Sequence, residues 1–228
     1  MHSPTKITVV LAEDHAIVRQ GLRSLLNADG GFKIVGEAQT GREAVELMQT
    51  KHPDVIVMDI AMPVLNGIEA TRQILALDPT AKVLILSAHN DEEYIERMTA
   101  SGAVGFLEKQ TSAEVLTKAI RAVAVGNSFF GGEVEKRRPA ALTENRDRNG
   151  MAKAGASELT SRETEVLQLV AEGSANKQVA AVLGISVKTV EKHRQHLMDK
   201  LNIHQTAGLT RYAIASGVIE NRVHLTIT

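Results

Sequence analysis

The sequence predicts a doubly wound α/β domain on a five-stranded parallel sheet, strand order 2-1-3-4-5, followed by a small all-α domain of four helices. Three observations carry this expectation. Five short β-rich runs alternate with amphipathic stretches over residues 1–130. Several of those runs are apolar at successive positions, as strands covered on both faces require. From Leu159 onward the apolar periodicity is helical throughout.

The spacing predicts strands at Ile7–Ala12, Phe32–Glu37, Asp54–Met58, Lys82–Ser87 and Ala103–Leu107, each bounded by turn or capping residues. Ile7-Thr8-Val9-Val10-Leu11 and Val83-Leu84-Ile85-Leu86 are the clearest continuous runs. Between the strands, Ile17, Leu22, Leu25 and Leu26 give one apolar helical stripe; Val115, Leu116, Ala119, Ile120 and Val123 give another. Asn90 with Glu93, and Thr111 with Glu114, have the spacing of capping boxes. After Phe129-Phe130 the pattern fails. Residues 131–157 lack a sustained apolar period and read as a flexible linker between domains at 1–130 and 158–228. Its Lys136-Arg137-Arg138 cluster has the chemistry to touch phosphates, but a short basic cluster in a linker is ordinarily just solvated.

In the last segment, Thr160 and Glu163 form a capping box for a helix carrying Val166, Leu167 and Val170, which Gly173 ends. A short helix Asn176–Leu183, the turn Gly184-Ile185-Ser186, a longer helix from Val187 to about Leu201 and a last helix Thr206–Ser216 follow. Short helix, tight turn, longer helix is a helix-turn-helix pattern.

Composition narrows the function. The 228 residues are 43% hydrophobic and 23% charged, which excludes wholesale disorder, and no run of about 18 apolar residues marks a membrane span. No secretory signal is read in residues 1–12, so a cytoplasmic location is the default expectation. Without Cys there is no disulfide scaffold, thiolate nucleophile or Cys-based zinc finger. Only 3% of residues are aromatic, which leaves a base-stacking surface poorly supplied. The net charge of −1 hides unlike segments: 12 Lys/Arg against 16 Asp/Glu in residues 1–130, 6 against 4 in 131–157, and 8 against 7 in 158–228.

Chemistry gathers at the carboxyl edge of the expected sheet. The first strand ends in Glu13-Asp14, the third in Asp59, the fourth in Ser87, and the fifth near Lys109. With the first and third strands adjacent, three carboxylates crowd one pocket, which raises a pKa or recruits a cation. Hard oxygen ligands suit Mg²⁺, beside which Asp59 stays ionised as a nucleophile. The Ser87 hydroxyl and the Lys109 ammonium are placed to meet an added phosphoryl group. Singly, each has a duller explanation: Asp14 as a helix N-cap, Ser87 as a strand-end hydroxyl, Lys109 as a solvated lysine. Their positions at four strand ends favour the joint reading. An aspartyl-nucleophile phosphohydrolase wants a second acid two residues after the nucleophile, and position 61 is Ala. No phosphate-binding Gly-x-x-x-x-Gly-Lys or Gly-x-Gly-x-x-Gly loop follows the first strand either.

The residues Glu13-Asp14, Val57-Met58-Asp59-Ile60-Ala61-Met62-Pro63, Asn66-Gly67, Leu86-Ser87-Ala88 and Gly105-Phe106-Leu107-Glu108-Lys109 closely resemble the receiver domain of two-component response regulators over residues 5–127. The resemblance implies that Asp59 accepts a phosphoryl group from a sensor kinase histidine. It also implies that Asp14 binds Mg²⁺ directly and Glu13 through water, with the Ala61 carbonyl completing the protein ligands. Ser87 and Lys109 would sense the phosphoryl group, and Phe106 would be the switch aromatic. Glu at position 13 and Gln at position 110 depart from the commonest pattern, and Ala61 and His89 occupy positions that tune phosphoryl lifetime in that family.

On the helix from Val187, a 100° step puts Val187, Val190, Arg194, Leu197 and Leu201 inward, and Lys188, Glu191, Lys192, Gln195 and Asp199 outward. Lys pairs with guanine, Gln with adenine and Glu with cytosine N4, so Lys188, Glu191, Lys192 and Gln195 suit base reading in a major groove. Thr189, His193, Arg194, His196 and Lys200 sit nearer the flanks, where phosphate contact is the expectation. An ordinary amphipathic helix with a solvated face explains the same pattern. The run from Leu159-Thr160-Ser161-Arg162-Glu163 through Asn176-Lys177-Gln178-Val179-Ala180 to Thr189-Val190-Glu191-Lys192-His193 and Lys200-Leu201 resembles the LuxR-type helix-turn-helix over residues 157–221. Ala175 replaces the usual Ser, which shifts the expected cap to Ser174 or Asn176, and Glu191 stands where many members have Lys.

The two domains in this order resemble the NarL/FixJ response regulators. The expected protein is a non-enzymatic transcriptional regulator whose partners are a histidine kinase, double-stranded promoter DNA and, when phosphorylated, a second copy. Phosphorylation at Asp59 would control dimerisation and exposure of the recognition helix, with Thr206–Ser216 as the dimer contact. The alternatives are a phosphorylation-independent DNA binder whose receiver is an interaction domain, and action through proteins without DNA.

Overall fold

A computed structural model describes residues 5–88, 97–131 and 159–220. The chain forms two compact units, Met1–Gly150 and Met151–Thr228. The linker reading beyond Gly131, its basic cluster, the Asn90–Glu93 box and His89 fall on residues 89–96 or 132–157, outside the described ones.

The first unit contains β1 (Ile7–Ala12), α1 (Ala16–Asp29), β2 (Phe32–Ala38), α2 (Gly41–Lys51), β3 (Val55–Asp59), α3 (Gly67–Leu77), β4 (Val83–Ser87), β5 (Gly105–Glu108), α4 (Ala113–Ala124) and β6 (Phe129–Phe130). The sheet is parallel with order β2-β1-β3-β4-β5-β6. Among the described residues it therefore has six strands rather than the expected five: Phe129-Phe130, where the sequence pattern ends, pairs with Gly105 and Phe106 at the sheet edge. A two-residue strand leaves no periodicity to detect.

Alternation along the central strands explains the three layers. Val10, Ile56, Met58, Ile85 and Phe106 face one core, closed by Ala44, Met48, Ile68 and Ile74 of α2 and α3. Val9, Leu11, Val55, Val57, Leu84 and Leu107 face the other, closed by Leu26 of α1 and by Leu116, Ile120 and Val123 of α4. Each fully buried aliphatic side chain contributes about 1.5–3 kcal/mol, so the two faces fix strand register firmly.

Two local expectations are corrected here. Ile17 is 86% exposed and does not join Leu22, Leu25 and Leu26, because the first turn of α1 precedes its seat on the sheet. The cap of α4 is Ser112, whose Oγ accepts the Val115 N–H; the neighbouring Thr111 N–H is already committed to the Glu108 carbonyl.

The second unit is helical: α5 (Ser161–Ala171), α6 (Asn176–Leu183), α7 (Val187–Leu201) and α8 (Thr206–Ala215). Helix α5 is the hub against which α7 and α8 pack, through Val166, Leu167, Leu169, Val170, Val190, Leu197, Leu209 and Ala213. The Thr160–Glu163 capping box forms as expected. Gly184 closes α6 in the left-handed conformation, φ 63°, and Ser186 then caps α7 by accepting the Thr189 N–H at 3.1 Å. Neither Ser174 nor Asn176 caps α6. Residue 175 occupies the cap with its backbone, and Gln178 Oε1 accepts the Ala175 N–H at 2.8 Å. Val187, expected inward, is 40% exposed, because the buried stripe of α7 begins only at Val190. No helix among the described residues is long and apolar enough to cross a membrane.

Candidate functional site

The register of the sheet assembles the site. Asp59 pairs with Leu86, one residue before Ser87, and Ser87 pairs with Glu108, one residue before Lys109. The Lys109 N–H also donates to the Ser87 carbonyl at 2.7 Å, so the ends of β4 and β5 are tied. Asn66 caps α3 by accepting the Glu69 N–H at 2.9 Å, and the Gly67 N–H donates to Ile60 O at 2.8 Å. A Cβ on Gly67 would lie 1.9 Å from the Asp59 carbonyl oxygen, so the loop after β3 closes over Asp59 only with glycine there.

Within that frame the Lys109 ammonium lies 2.8 Å from Glu13 Oε2 and 2.9 Å from Asp59 Oδ2. Glu13 and Asp59 are buried, and the Asp14 side chain is 11% exposed. One ligand atom from each of Glu13, Asp14, His15 and Asp59 lies within 4.8 Å of the others. Burial, then the nearby Glu13 charge, raises the Asp59 carboxyl to about 6 although Lys109 opposes the shift. Burial works against the Lys109 charge as well, but Asp59 and Glu13 outweigh it and raise the ammonium above its ordinary value. One lysine thus stands against three largely buried acids. Hard, buried carboxylate oxygens packed this closely fit a small divalent cation.

Of the remaining expected residues, Ser87 and Phe106 are both 1% exposed, Ser87 at the strand end and Phe106 inside the α2/α3 core. Ala61 lies in the loop between β3 and α3. The peptide bonds around Gln110 are trans.

Two residues escaped the sequence reading. His15 Nδ1 lies 2.9 Å from Asp14 Oδ1 and 3.1 Å from Glu13 Oε1. Arg19 Nη1 donates to the Glu13 carbonyl at 2.7 Å. The available signal was position alone: His15 follows the acid pair directly, and Arg19 is one helical turn further on.

In the second unit Lys188, Glu191, Lys192, Gln195 and His196 are exposed, whereas Thr189 and His193 are half-buried. The exposed side of α7 therefore carries the four residues expected to read bases. Three other residues are engaged within the fold. Thr189 Oγ1 lies 2.8 Å from the capping Ser186 Oγ. Arg194 donates to Asn176 Oδ1 at 3.1 Å and to Thr206 Oγ1 at 2.6 Å, joining α7 to the starts of α6 and α8. Lys200 Nζ lies 2.7 Å from Glu163 Oε2, the acid of the α5 capping box.

A parallel sheet with acids at the ends of β1 and β3 and a lysine after β5, and separately a capped helix-turn-helix, define a receiver domain and a DNA-binding domain of a regulator. The comparisons agree. The family description "Response regulator receiver domain" matches residues 9–121, and "Bacterial regulatory proteins, luxR family" matches residues 157–213. The chain is 35% identical over 232 residues to the transcriptional regulatory protein DegU of Brevibacillus brevis, covering 95% of this chain and 97% of that one. It is 35% identical over 217 residues to the oxygen regulatory protein NreC of Staphylococcus carnosus, covering 93% and 99%. A solved structure of RcsB from Salmonella enterica serovar Typhimurium, bound to promoter rprA in the presence of the phosphomimetic BeF3-, matches with TM-score 0.55 and 26% identity, covering 91% and 98%. The chain belongs to the NarL/FixJ-type two-component response regulators, with a receiver and a LuxR-type helix-turn-helix domain.

Proposed function

We propose that this response regulator is switched by transfer of a phosphoryl group from a kinase histidine to Asp59, and that the switch controls its binding to promoter DNA. The observation that carries the reading is the buried Asp59 carboxylate, 2.9 Å from Lys109 and crowded by Glu13 and Asp14. An Asp59 oxygen would attack phosphorus, the P–N bond of the donor would break, and the imidazole would leave. Lys109 and the Ser87 hydroxyl are placed at strand ends where they would meet the incoming oxygens. Glu13, Asp14, Asp59 and the Ala61 carbonyl would hold Mg²⁺. When bound, that ion would neutralise the carboxylates and the phosphoryl charge. Phe106 would report the change to the surface of the domain.

On the DNA side, Lys188, Glu191, Lys192 and Gln195 would meet base edges, with His193 and His196 toward phosphates. Thr189 and Lys200, engaged with Ser186 and Glu163, would chiefly hold the helix in place. Phosphorylation would control dimerisation and exposure of the recognition helix, so that two half-sites are read together. The solved RcsB complex, with promoter DNA and a phosphomimetic together, supports this reading by similarity.

Treatment with a small phosphodonor and Mg²⁺ tests it. Wild type should gain the mass of one phosphoryl group and bind promoter DNA more tightly, and Asp59→Ala should do neither. Equal DNA affinity before and after treatment in both proteins would sink the switch. Unchanged transcription of target genes in Lys188→Ala and Lys192→Ala would point instead to action through protein partners.

A further inference from the structure

We infer that Arg19 is a positioning residue for the acidic pocket, holding the loop between β1 and α1 so that Glu13 and Asp14 present their carboxylates together; the inference rests on the metal-binding reading above. Arg19 lies on α1, outside the pocket, with its side chain only 13% exposed. Its Nη1 donates to the Glu13 carbonyl at 2.7 Å and reaches the Asp14 carbonyl at 3.4 Å. Its Nε faces Glu37 Oε2 of β2 at 3.3 Å. The guanidinium therefore spans from an acid on the neighbouring strand to two successive backbone carbonyls.

Those carbonyls belong to the residues whose side chains point the other way, into the pocket. Three carboxylates so close repel one another, and rotation of the peptide planes whose carbonyls belong to Glu13 and Asp14 would relieve the repulsion. A cation on the outer side of the loop opposes that rotation, because turning the planes would break charge-assisted hydrogen bonds on a poorly solvated group. The planar fork matters for this. A lysine reaching from the same position has a single ammonium and cannot satisfy both Glu37 and the loop with fixed geometry. Arg23, one turn along α1, provides an internal control. It pairs with the same Glu37 through Nη1 at 3.2 Å, but its side chain is 59% exposed and no described bond links it to the loop.

The test is a Mg²⁺ titration of the full chain followed by amide NMR, with the phosphodonor reaction rate measured across the same Mg²⁺ range. Arg19→Lys and Arg19→Gln should raise the half-saturating Mg²⁺ concentration about tenfold, the low end for residues that orient metal ligands. The rate at saturating Mg²⁺ should return to the wild-type value, and Arg23→Ala should stay within about twofold of wild type. A normal midpoint in Arg19→Lys overturns the inference, since the charge alone would then suffice. If an Arg19 variant does not fold, Glu37→Gln, which frees the guanidinium from its other anchor, takes its place: a raised midpoint supports the role and an unchanged one overturns it. A wild-type chain that fails to bind Mg²⁺ refutes the metal reading itself, an outcome distinct from failure of the Arg19 role.

Discussion

Each unit of this protein sets a buried carboxylate against a lysine, and the two pairs behave oppositely. In the receiver, Lys109 faces both Glu13 and Asp59, and the Asp59 carboxyl is pushed up to about 6. In the helical unit Lys200 faces Glu163, which also accepts the Thr160 N–H, and the Glu163 carboxyl is held below its ordinary value although burial pushes the other way. What differs is the count of charges and donors per carboxylate. Glu163 has one ammonium to itself, with the Thr160 N–H beside it, and is a structural staple. Asp59 has too few, and a carboxylate left short of positive charge is poised to gain a cation or a covalent partner.

The contrast is open to attack, most strongly at Gly67. Gly67→Ala forces a methyl onto the Asp59 carbonyl, so the receiver should lose about 3 kcal/mol while the helical unit keeps its stability. Chemical denaturation followed by amide NMR in each unit checks this, and equal loss in both would break the separation. Next comes Lys200→Ala. Leaving Glu163 without its ammonium should cost the helical unit about 1–2 kcal/mol, less than for a fully buried pair because Lys200 is 32% exposed. Lys192→Ala, on the exposed side of the same helix, should change stability by less than about 0.5 kcal/mol and act only on DNA binding.

The two units should also respond in opposite directions to pH. Asp59 has a raised folded pKa, so the folded receiver binds more protons than the unfolded chain between its ordinary value of 3.8 and about 6, and metal-free receiver stability should rise as pH falls through that window. Glu163 has a lowered folded pKa, so its contribution is present above its ordinary value of 4.5 and lost as pH falls below it. Hydrogen exchange at Val57 and Leu197 against pH should show the opposite slopes. Asp59→Asn should flatten the first and Glu163→Gln the second.

The strands and the helix-turn-helix were legible because each rests on local periodicity, and the Thr160–Glu163 box because it spans three residues. Ile17, Val187 and the Ser112 cap were misread for a common reason: at a helix end, the neighbouring chain decides which residue is covered or which N–H is already bonded. Lys200 is a related case. Its position on the helix suggested phosphate contact, while its engagement with Glu163, 37 residues away, shows only in the folded unit.

By itself the sequence determined which residue types end each strand, and parallel pairing in a doubly wound sheet was enough to bring Glu13, Asp14, Asp59, Ser87 and Lys109 to one edge. Only the tertiary structure decided how their charges are shared. That Lys109 serves two acids, that His15 leans on Glu13 and Asp14, and that Arg19 grips their carbonyls are matters of a few ångströms between side chains from different elements. Periodicity and spacing along a chain carry no record of such distances, because they arise only when separate elements are packed together.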